Sequence, residues 1–485
     1  MIILLLAVLI GGGIYAYLTL AYFGAEASAC YPLGGKASLK STLGYQNITA
    51  ITEWQLPGFD RYPNAVVAAP DGSVWFGEQS VPGVAHFFPN NGTLVEYAWP
   101  SSVPTIQGSC PFKASIWGIA LWKGMVWATD GNGNVIVGLN PENRSFVVLT
   151  LPQPDSSPYT LTTGPDGALW FTALTQTPFI GRVSPSLTVS MYPILNDTDE
   201  IPTDIEFVNS SYAYFTALNP LEPTPSGVYS FNPEAVAGGI TPTEVGENAN
   251  LTDATSVAVS SSGTVWVVQH RTSNLWGYDP NTGVWTVYPT STENYTSTTL
   301  PYFVGTSGGT IWFNEHYANR IAELNPAAGT LTEYSESNPP ATNYTQIQND
   351  LTIAVVPDGL WFTSMTGNYI GFVNAAYDPS FSVLVKGSES LTLSGGENAT
   401  VELEVHGSWD KGLRVSFSDS EAYTSTPTLI GIGSNMTSLQ PETGTDQLTV
   451  RLSPARILQP GRYTVAVTVS DGLVSITAYI FLTIE

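Results

Sequence analysis

The chain has 485 residues, of which 43% are hydrophobic and only 11% are charged. Its 40 acidic residues outnumber 15 basic ones, a net charge of -25, and a surface of this sign repels phosphate backbones and excludes nucleic acid as a partner. A cation or a neutral ligand that stacks on aromatic rings fits this charge better, although solubility outside the cell accounts for it equally well.

The first predicted element is an apolar N-terminal helix. Residues 2–23 carry no charge, and at ~1.5 Å per residue such a helix is long enough to cross a bilayer. Residues 1–29 are therefore interpreted as a transmembrane anchor or a signal peptide, and residues 30–44 as a linker. The sequence ASAC at 27–30 leaves cleavage and lipidation of Cys30 open as alternatives. Every version places the body of the protein on the extracellular side of the membrane, anchored or secreted.

Sequons and cysteines agree with an exterior location. Ten N-x-S/T sequons are spread over the whole body, as is typical of surface loops in a glycoprotein. The candidate glycosylation sites are Asn47, Asn91, Asn143, Asn196, Asn209, Asn250, Asn294, Asn343, Asn398 and Asn435. The two cysteines, Cys30 and Cys110, are a candidate disulfide in an oxidising compartment.

Seven similar units follow between residues 45 and 377. An aromatic β-run recurs at intervals of 43 to 52 residues, about the length of a four-stranded propeller blade. Its members are Trp75, Trp127, Trp170, Tyr214, Trp266, Trp312 and Trp361. These side chains are expected to pack sheet against sheet.

The two ends of the repeat region complement each other. The segment ITEWQLP at 51–57 has the pattern of a fourth strand without a unit before it, whereas the last unit ends at YIGFVN, 369–374, without a fourth strand. We therefore expect the two segments to pair, which closes a ring and removes open sheet edges. Residues 45–377 are predicted to form a seven-bladed β-propeller.

The pattern changes in residues 378–485. Strands such as ATVELEVHG and GRYTVAVTVSD alternate apolar and polar residues with period two, which predicts an immunoglobulin-like β-sandwich. The predicted fold class is thus all-β, a seven-bladed propeller and a C-terminal Ig-like sandwich, preceded by one N-terminal hydrophobic helix.

A family resemblance enters with the third unit. The stretch PYTLTTGPDGALWFTA from Pro158, with FIGRVSP after it, resembles the repeat of the virginiamycin B (streptogramin) lyase family of seven-bladed propellers. The resemblance covers about residues 45–376. It implies a lyase that opens a cyclic depsipeptide by elimination, with Mg²⁺, two histidines and a glutamate.

This chain departs from the family at those catalytic positions. The residues that match the two histidines are Tyr302 and Leu351, and Asn349 matches the glutamate. Tyrosine is a poor base at neutral pH, and leucine and asparagine cannot transfer a proton. Asp350, one residue away, is the nearest carboxylate. The family's catalytic residues are therefore not carried over.

Other residues are candidates for a site at one mouth of the channel. Candidate ligand-binding residues, aromatic or acidic, are Glu78, Trp117, Tyr159, Asp204 and Tyr302. His270 follows one aromatic run, and Glu315 and His316 follow the next, so neighbouring blades would bring them together around a divalent cation or a water. These three are the catalytic candidates. The alternatives are that they are polar residues at strand ends and that the aromatic rings pack the channel rim.

Two functions follow from these observations. The first is an extracytoplasmic, membrane-anchored binding or scaffold protein at the cell surface, whose partner is a glycan, a peptide or a surface protein. The second is a divergent virginiamycin B lyase-like enzyme, a lyase or hydrolase acting on a cyclic ester or peptide with a non-standard site. The sequence leaves open whether the chain is an enzyme.

Overall fold

A computed structural model describes residues 38–58, 61–104, 113–195, 200–218, 226–246, 251, 253–270, 272–291, 299–337, 350–420 and 429–485. Over these ranges the chain is almost entirely β-strand, with one 3₁₀ turn at Pro233–Ala235, which confirms the predicted all-β class. No helix in these ranges is long and apolar enough to span a membrane. The predicted N-terminal helix, Cys30 and Cys110 lie outside the described residues.

Thirty strands precede residue 375 in the described ranges. Up to residue 150 they are β1 (Ser38–Thr42), β2 (Tyr45–Ile48), β3 (Ile51–Gln55), β4 (Pro63–Ala68), β5 (Val74–Glu78), β6 (Gly83–Phe88), β7 (Thr93–Ala98), β8 (Ile119–Trp122), β9 (Met125–Asp130), β10 (Val135–Asn140) and β11 (Ser145–Thr150). Next come β12 (Pro158–Thr163), β13 (Leu169–Ala173), β14 (Phe179–Val183), β15 (Val189–Pro193), β16 (Ile201–Asn209), β17 (Tyr212–Leu218), β18 (Gly227–Phe231), β19 (Thr243–Glu244), β20 (Ala254–Val259), β21 (Val265–Gln269), β22 (Asn274–Asp279) and β23 (Val284–Pro289). The last are β24 (Pro301–Ser307), β25 (Thr310–Glu315), β26 (Arg320–Asn325), β27 (Thr330–Ser335), β28 (Thr352–Val356), β29 (Gly359–Ser364) and β30 (Tyr369–Asn374).

These strands form consecutive antiparallel sheets whose first strands meet in a circuit. The sheets begin, in chain order, with β4, β8, β12, β16, β20, β24 and β28. Each of these inner strands lies against the next one, and β28 lies against β4. A closed circuit of inner strands surrounded by antiparallel sheets is consistent with a propeller-like fold.

The last of these sheets is completed from the N-terminal side. Strand β3 pairs antiparallel with β30 and joins Ile51 to Val373 and Gln55 to Tyr369. The pairing expected for residues 51–57 is thus present. Because this ladder joins segments from opposite ends of the repeat region, it leaves no open edge between them.

The aromatic runs fill the spaces between sheets, as expected. Trp127, Trp170 and Trp312 are each 1% exposed. The third strand makes room for a ring of the second strand, because Gly181 lies opposite Phe171 in register and a Cβ on Gly181 would stand 2.0 Å from that ring. The glycine of the recurring third-strand sequence therefore has a packing role.

Part of the segment assigned as a linker, residues 30–44, forms a strand. Residues 38–42 form β1, which pairs with β7 and joins Ser38 to Tyr97, and β2 pairs in the same way with β3. Outer strands carry backbone groups that need hydrogen-bond partners, and the added strands supply them. A short polar segment gives little sign of such pairing in its own sequence.

The C-terminal strands form two sheets with a shared core. They are β31 (Phe381–Lys386), β32 (Ser390–Leu393), β33 (Ala399–Trp409), β34 (Leu413–Asp419), β35 (Ile430–Ser434), β36 (Ser438–Leu439), β37 (Glu442–Pro454), β38 (Gly461–Ser470) and β39 (Val474–Ile484). One sheet has the order β31-β33-β37-β35, and the other contains β32, β39, β38, β34 and β36. Leu403, Val450, Val467 and Ile480 are fully buried in the core that the two sheets share.

The C-terminal strands are continuous with the sheet that contains β24 to β27. Strand β39 pairs antiparallel with β27 and joins Tyr334 to Val474. The buried Tyr479 hydroxyl donates a hydrogen bond of 2.9 Å to the carbonyl of Pro289. Backbone pairing and a buried side-chain bond thus hold the two parts of the chain together.

Candidate functional site

Aromatic side chains from three inner strands meet inside the ring. Tyr159 in β12 and Tyr302 in β24 reach towards each other, and their hydroxyl oxygens lie 2.6 Å apart. Trp117, just before β8, packs on both rings with centroid distances of 5.1 and 6.1 Å. We call Trp117, Tyr159, Tyr302, Leu351 and Met365, all buried, the central cluster.

Irregular pairing at the start of the inner strands helps to direct these side chains. The register between β12 and β13 shifts after Pro158, and that between β24 and β25 shifts after Pro301. A β-bulge re-aims the side chains next to it. Tyr159 and Tyr302 each follow such a proline, so the bulges lie where the two rings leave their sheets for the centre.

Two histidines from neighbouring sheets lie on the central cluster. His270 follows β21 and His316 follows β25; their Nε2 atoms are 2.8 Å apart and their rings are inclined by 14°. The ring of Tyr302 meets both edge-on, at 5.2 and 5.7 Å. Only one hydrogen fits between two ring nitrogens at this distance, so one imidazole donates and the other accepts.

Burial keeps the cluster and the inner histidine uncharged. His316 is fully buried, and desolvation, followed by the charge of His270, lowers its pKa well below the usual value of 6.5. Desolvation raises the pKa of Tyr302 to about 12, although the hydrogen bond with Tyr159 lowers it. At neutral pH the imidazole of His316 and the phenol of Tyr302 are therefore both neutral.

Glu315 lies in a different environment from its neighbour His316. It is fully buried at the end of β25, beside Glu333 and Arg320, whose Nη1 lies 3.5 Å from Glu333 Oε1. Burial, followed by the charge of Glu315, raises the pKa of Glu333 well above its usual value. His316 lies in the turn after β25 and packs with His270, whereas Glu315 acts on Glu333, so the two neighbours in sequence belong to different groups.

A second group of buried carboxylates adjoins this one. Tyr369 donates a hydrogen bond to Glu336; burial raises the pKa of Glu336 to about 8, although that bond lowers it. Asp350 is fully buried, and burial, followed by the charge of Glu336, raises its pKa well above 3.8. The carboxylate nearest to the family's glutamate position therefore faces other carboxylates.

Glu78 belongs to a comparable group between β4 and β7. The Nε of Arg61 lies 2.7 Å from Glu96 Oε1 and 3.9 Å from Glu78 Oε1. Glu78 is 1% exposed, and burial, followed by the charge of Glu96, raises its pKa. The structure thus places this predicted mouth residue inside an ion cluster and not at an open surface.

Further along the inner strands, residues of the ring line a partly open cavity of ≈ 350 Å³. Asp204 and Glu206 of β16 line it, as alternate residues of one strand can. Burial raises the pKa of Asp204 to about 6 against a hydrogen bond from Ser256. Burial, followed by the charge of Asp204, raises the pKa of Glu206 to about 7.

The predicted site residues are therefore divided among three places. Trp117, Tyr159 and Tyr302 meet in the central cluster, with His270 and His316 on it. Glu78 and Glu315 lie in ion clusters, and Asp204 lines the cavity. Sequence reasoning missed Glu206 as a lining residue, although its spacing of two from Asp204 in a predicted inner strand was a usable signal.

The residues present do not fit the Mg²⁺ that the family resemblance implies. Leu351, at one of the family's two histidine positions, is fully buried and has no donor atom in its side chain, and Asn349 lies outside the described residues. In the described ranges, no three His, Cys, Asp or Glu side chains are grouped so that they could hold a metal ion. The histidine that the family resemblance implies at position 351 is therefore absent, and the described residues offer no replacement cluster.

The sequon asparagines that the structure describes are all exposed. They are Asn47, Asn91, Asn143, Asn209, Asn398 and Asn435. Asn196, Asn250, Asn294 and Asn343 lie outside the described residues. The six described side chains are thus accessible to a modifying enzyme.

Comparisons with known proteins confirm the family resemblance. Residues 49–219 match the model of the virginiamycin B lyase family. A solved streptogramin B lyase is similar at 22% identity and a TM-score of 0.53, covering 67% of this chain and 97% of that one. A chain of the mitotic checkpoint complex follows at 10% identity and a TM-score of 0.46, covering 72% and 96%. No curated protein matches the sequence. The repeat region is thus virginiamycin B lyase-like.

Proposed function

We propose that this protein is an extracytoplasmic, membrane-anchored binding or scaffold protein. In this proposal residues 45–377 form a seven-bladed β-propeller that recognises a glycan, a peptide or a surface protein, and residues 378–485 form an Ig-like accessory domain. The closed circuit of inner strands and the 97% coverage of the streptogramin B lyase chain support the propeller. The six exposed sequons support the exterior location.

The state of the central cluster is the observation that carries the binding role. General acid–base catalysis needs groups that change protonation near the working pH, whereas burial keeps His316 neutral and Tyr302 protonated. Glu315, the carboxylate expected beside His316, faces Glu333. An uncharged aromatic centre under a half-buried His270 suits recognition through ring contacts and hydrogen bonds better than proton transfer.

The binding role can be tested on glycan and peptide arrays with the purified full chain. We expect at least one ligand class to bind, and His270→Ala to weaken that binding by at least about tenfold, since each tenfold step corresponds to ~1.4 kcal/mol of lost contact. His406→Ala is the matched control, because His406 lies in β33, outside the ring. Absence of binding to every class, or an equal loss in both variants, would overturn the proposal.

The proposed location has its own test. In a glycosylating host, removal of N-glycans should reduce the apparent mass, and Asn91→Gln should remove one glycan. Asn90→Gln is the control, because the adjacent Asn90 is not part of a sequon. A body that stays protected when protease is added to intact cells would contradict an extracellular location.

One observation favours the second function, a divergent lyase or hydrolase acting on a cyclic ester or peptide. The 2.8 Å contact between Nε2 of His270 and Nε2 of His316 holds two imidazoles around one proton, beside the ring of Tyr302. Turnover of a cyclic depsipeptide or lactone, with and without a divalent cation, tests it. Activity that survives in the His270→Ala, His316→Ala double variant would remove this function.

A further inference from the structure

We propose that the channel cavity is a binding site for a small organic cation, such as a quaternary ammonium compound. The inference rests on the proposed binding role and deepens it, since it names a ligand class for a part of the ring away from the histidines. The cavity receives residues from all seven inner strands, and its ≈ 350 Å³ falls in the range of small-molecule sites.

The charge of the cavity wall selects a cation. Asp204 and Glu206 are the charged residues that line it, and no Lys, Arg or His is among the described lining residues. Asp204 is held in place, since Ser256 Oγ donates to its Oδ2 at 2.6 Å and the Ile205 amide to its Oδ1 at 2.9 Å. Two carboxylates on one wall without a counter-charge favour a positively charged guest.

The opposite character of the cavity floor selects an organic cation over a bare metal ion. Trp117 and Phe303 line the cavity and also pack in or against the central cluster, so the cavity adjoins the aromatic rings of the cluster. Ile353 and Val355 add apolar wall. A hydrated metal ion prefers a full set of oxygen ligands, whereas an alkylammonium group is attracted to aromatic faces as well as carboxylates.

One glycine lets two lining residues of neighbouring inner strands pack closely. A Cβ on Gly305, in β24, would stand 2.6 Å from Cγ2 of Val355, in β28, and both residues line the cavity. A larger residue at position 305 would have to displace Val355, so the glycine fixes the position of this part of the wall.

Isothermal titration of the full chain with choline tests the site at about pH 8, above the pKa values of about 6 for Asp204 and about 7 for Glu206, so that both carboxylates are largely ionised. Its neutral isostere 3,3-dimethylbutan-1-ol should bind at least about tenfold more weakly, because the carboxylates then contribute nothing. Glu206→Gln, which keeps the shape and removes one charge, should also weaken choline binding by at least about tenfold. Glu142→Gln is the matched control, since Glu142 is exposed in the turn between β10 and β11 and should leave the affinity unchanged.

A second variant keeps the inference testable if Glu206→Gln does not fold. Phe303→Leu removes a ring and no charge, and should reduce the preference for choline over potassium at least about threefold. Equal binding of choline and the alcohol, full competition by potassium, or unchanged affinity in Glu206→Gln would each overturn the inference. If the chain binds a glycan or peptide on the arrays but does not bind choline, only this inference is overturned. If it binds choline but nothing on the arrays, the proposed surface ligand is overturned and the channel site remains.

Discussion

Two regions meet at the end of β25, and they handle burial in opposite ways. Glu315 belongs to a group of buried carboxylates with Glu333 and one arginine, Arg320, whereas the next residue, His316, belongs to a set of neutral rings with His270 and Tyr302. In the first region Arg320 balances the carboxylate charge, and raised pKa values reduce that charge. In the second region the side chains are neutral, so there is no buried charge to balance. The contrast shows that two residue types that suit catalysis can be adjacent in sequence and still lie in different environments in the folded protein.

The largest loss of stability is expected when Arg320, the cation of the carboxylate region around Glu315 and Glu333, is removed. Arg320 is 2% exposed, so Arg320→Met would leave Glu333 buried without its ion partner, and we expect a loss of about 3–5 kcal/mol in the free energy of unfolding. Denaturant titration measures it. Arg182→Met is the control, because its pair with Asp166 is partly exposed and should cost at most about 1 kcal/mol. Similar losses of unfolding free energy in both variants would show that the buried carboxylate region does not depend specifically on its cation.

The adjoining group of buried carboxylates, which contains Glu336, should make the protein more stable in acid. The folded-state pKa of Glu336 is about 8, above its ordinary 4.5, so the folded protein holds a proton that the unfolded chain has released. The stabilisation from this group is complete below pH 4.5 and is lost as the pH rises through 8.

Glu336→Gln should therefore flatten the fall in unfolding free energy between pH 5 and 8 by at least about 1.4 kcal/mol, the value of one pKa unit. Unfolding at several pH values in wild type, Glu336→Gln and the exposed Glu142→Gln measures it. An unchanged slope in Glu336→Gln would show that Glu336 is ionised in the folded protein.

The set of neutral side chains around His316, His270 and Tyr302 should lose stability when a hydroxyl group is removed. Tyr302→Phe removes one partner of the 2.6 Å hydroxyl contact and leaves the buried Tyr159 hydroxyl with one partner fewer, at a cost of about 1–2 kcal/mol. The Tyr159→Phe, Tyr302→Phe double variant should lose less than the sum of the single variants. Strict additivity in this double-mutant cycle would mean that the two hydroxyls do not interact.

The smallest expected effect is a loss of stability as the pH falls, which is opposite to the pH dependence expected from Glu336. The pKa of His316 is lowered from 6.5, so its contribution to stability is complete above 6.5 and is lost as the pH falls and the unfolded chain takes up the proton. His316→Gln should flatten this loss by about 1 kcal/mol at pH 5.5, with His406→Gln as the control. An NMR titration that shows His316 protonated at pH 6.5 would contradict the neutral ring region.

Part of the candidate site was accessible to sequence reasoning. The equivalent positions of Trp117, Tyr159 and Tyr302 at the start of inner strands predicted that they share one mouth, and the structure packs them together. The place of His270 one unit before His316 predicted their contact across neighbouring sheets. Both inferences needed only the period of the repeat, because residues at equivalent positions of the repeat lie at the same level along the axis of the ring.

The sequence by itself determined the strands of each repeat and the pairing of residues 51–57 with residues 369–374, because alternation, turn glycines and recurring aromatic runs are short-range signals that repeat. Only the tertiary structure decided that Glu315 lies with Glu333 and Arg320 while His316 lies with His270, and that β39 extends the sheet of β27. Those outcomes depend on which segments distant in the chain pack on either face of a strand, and no local pattern of residues records that choice.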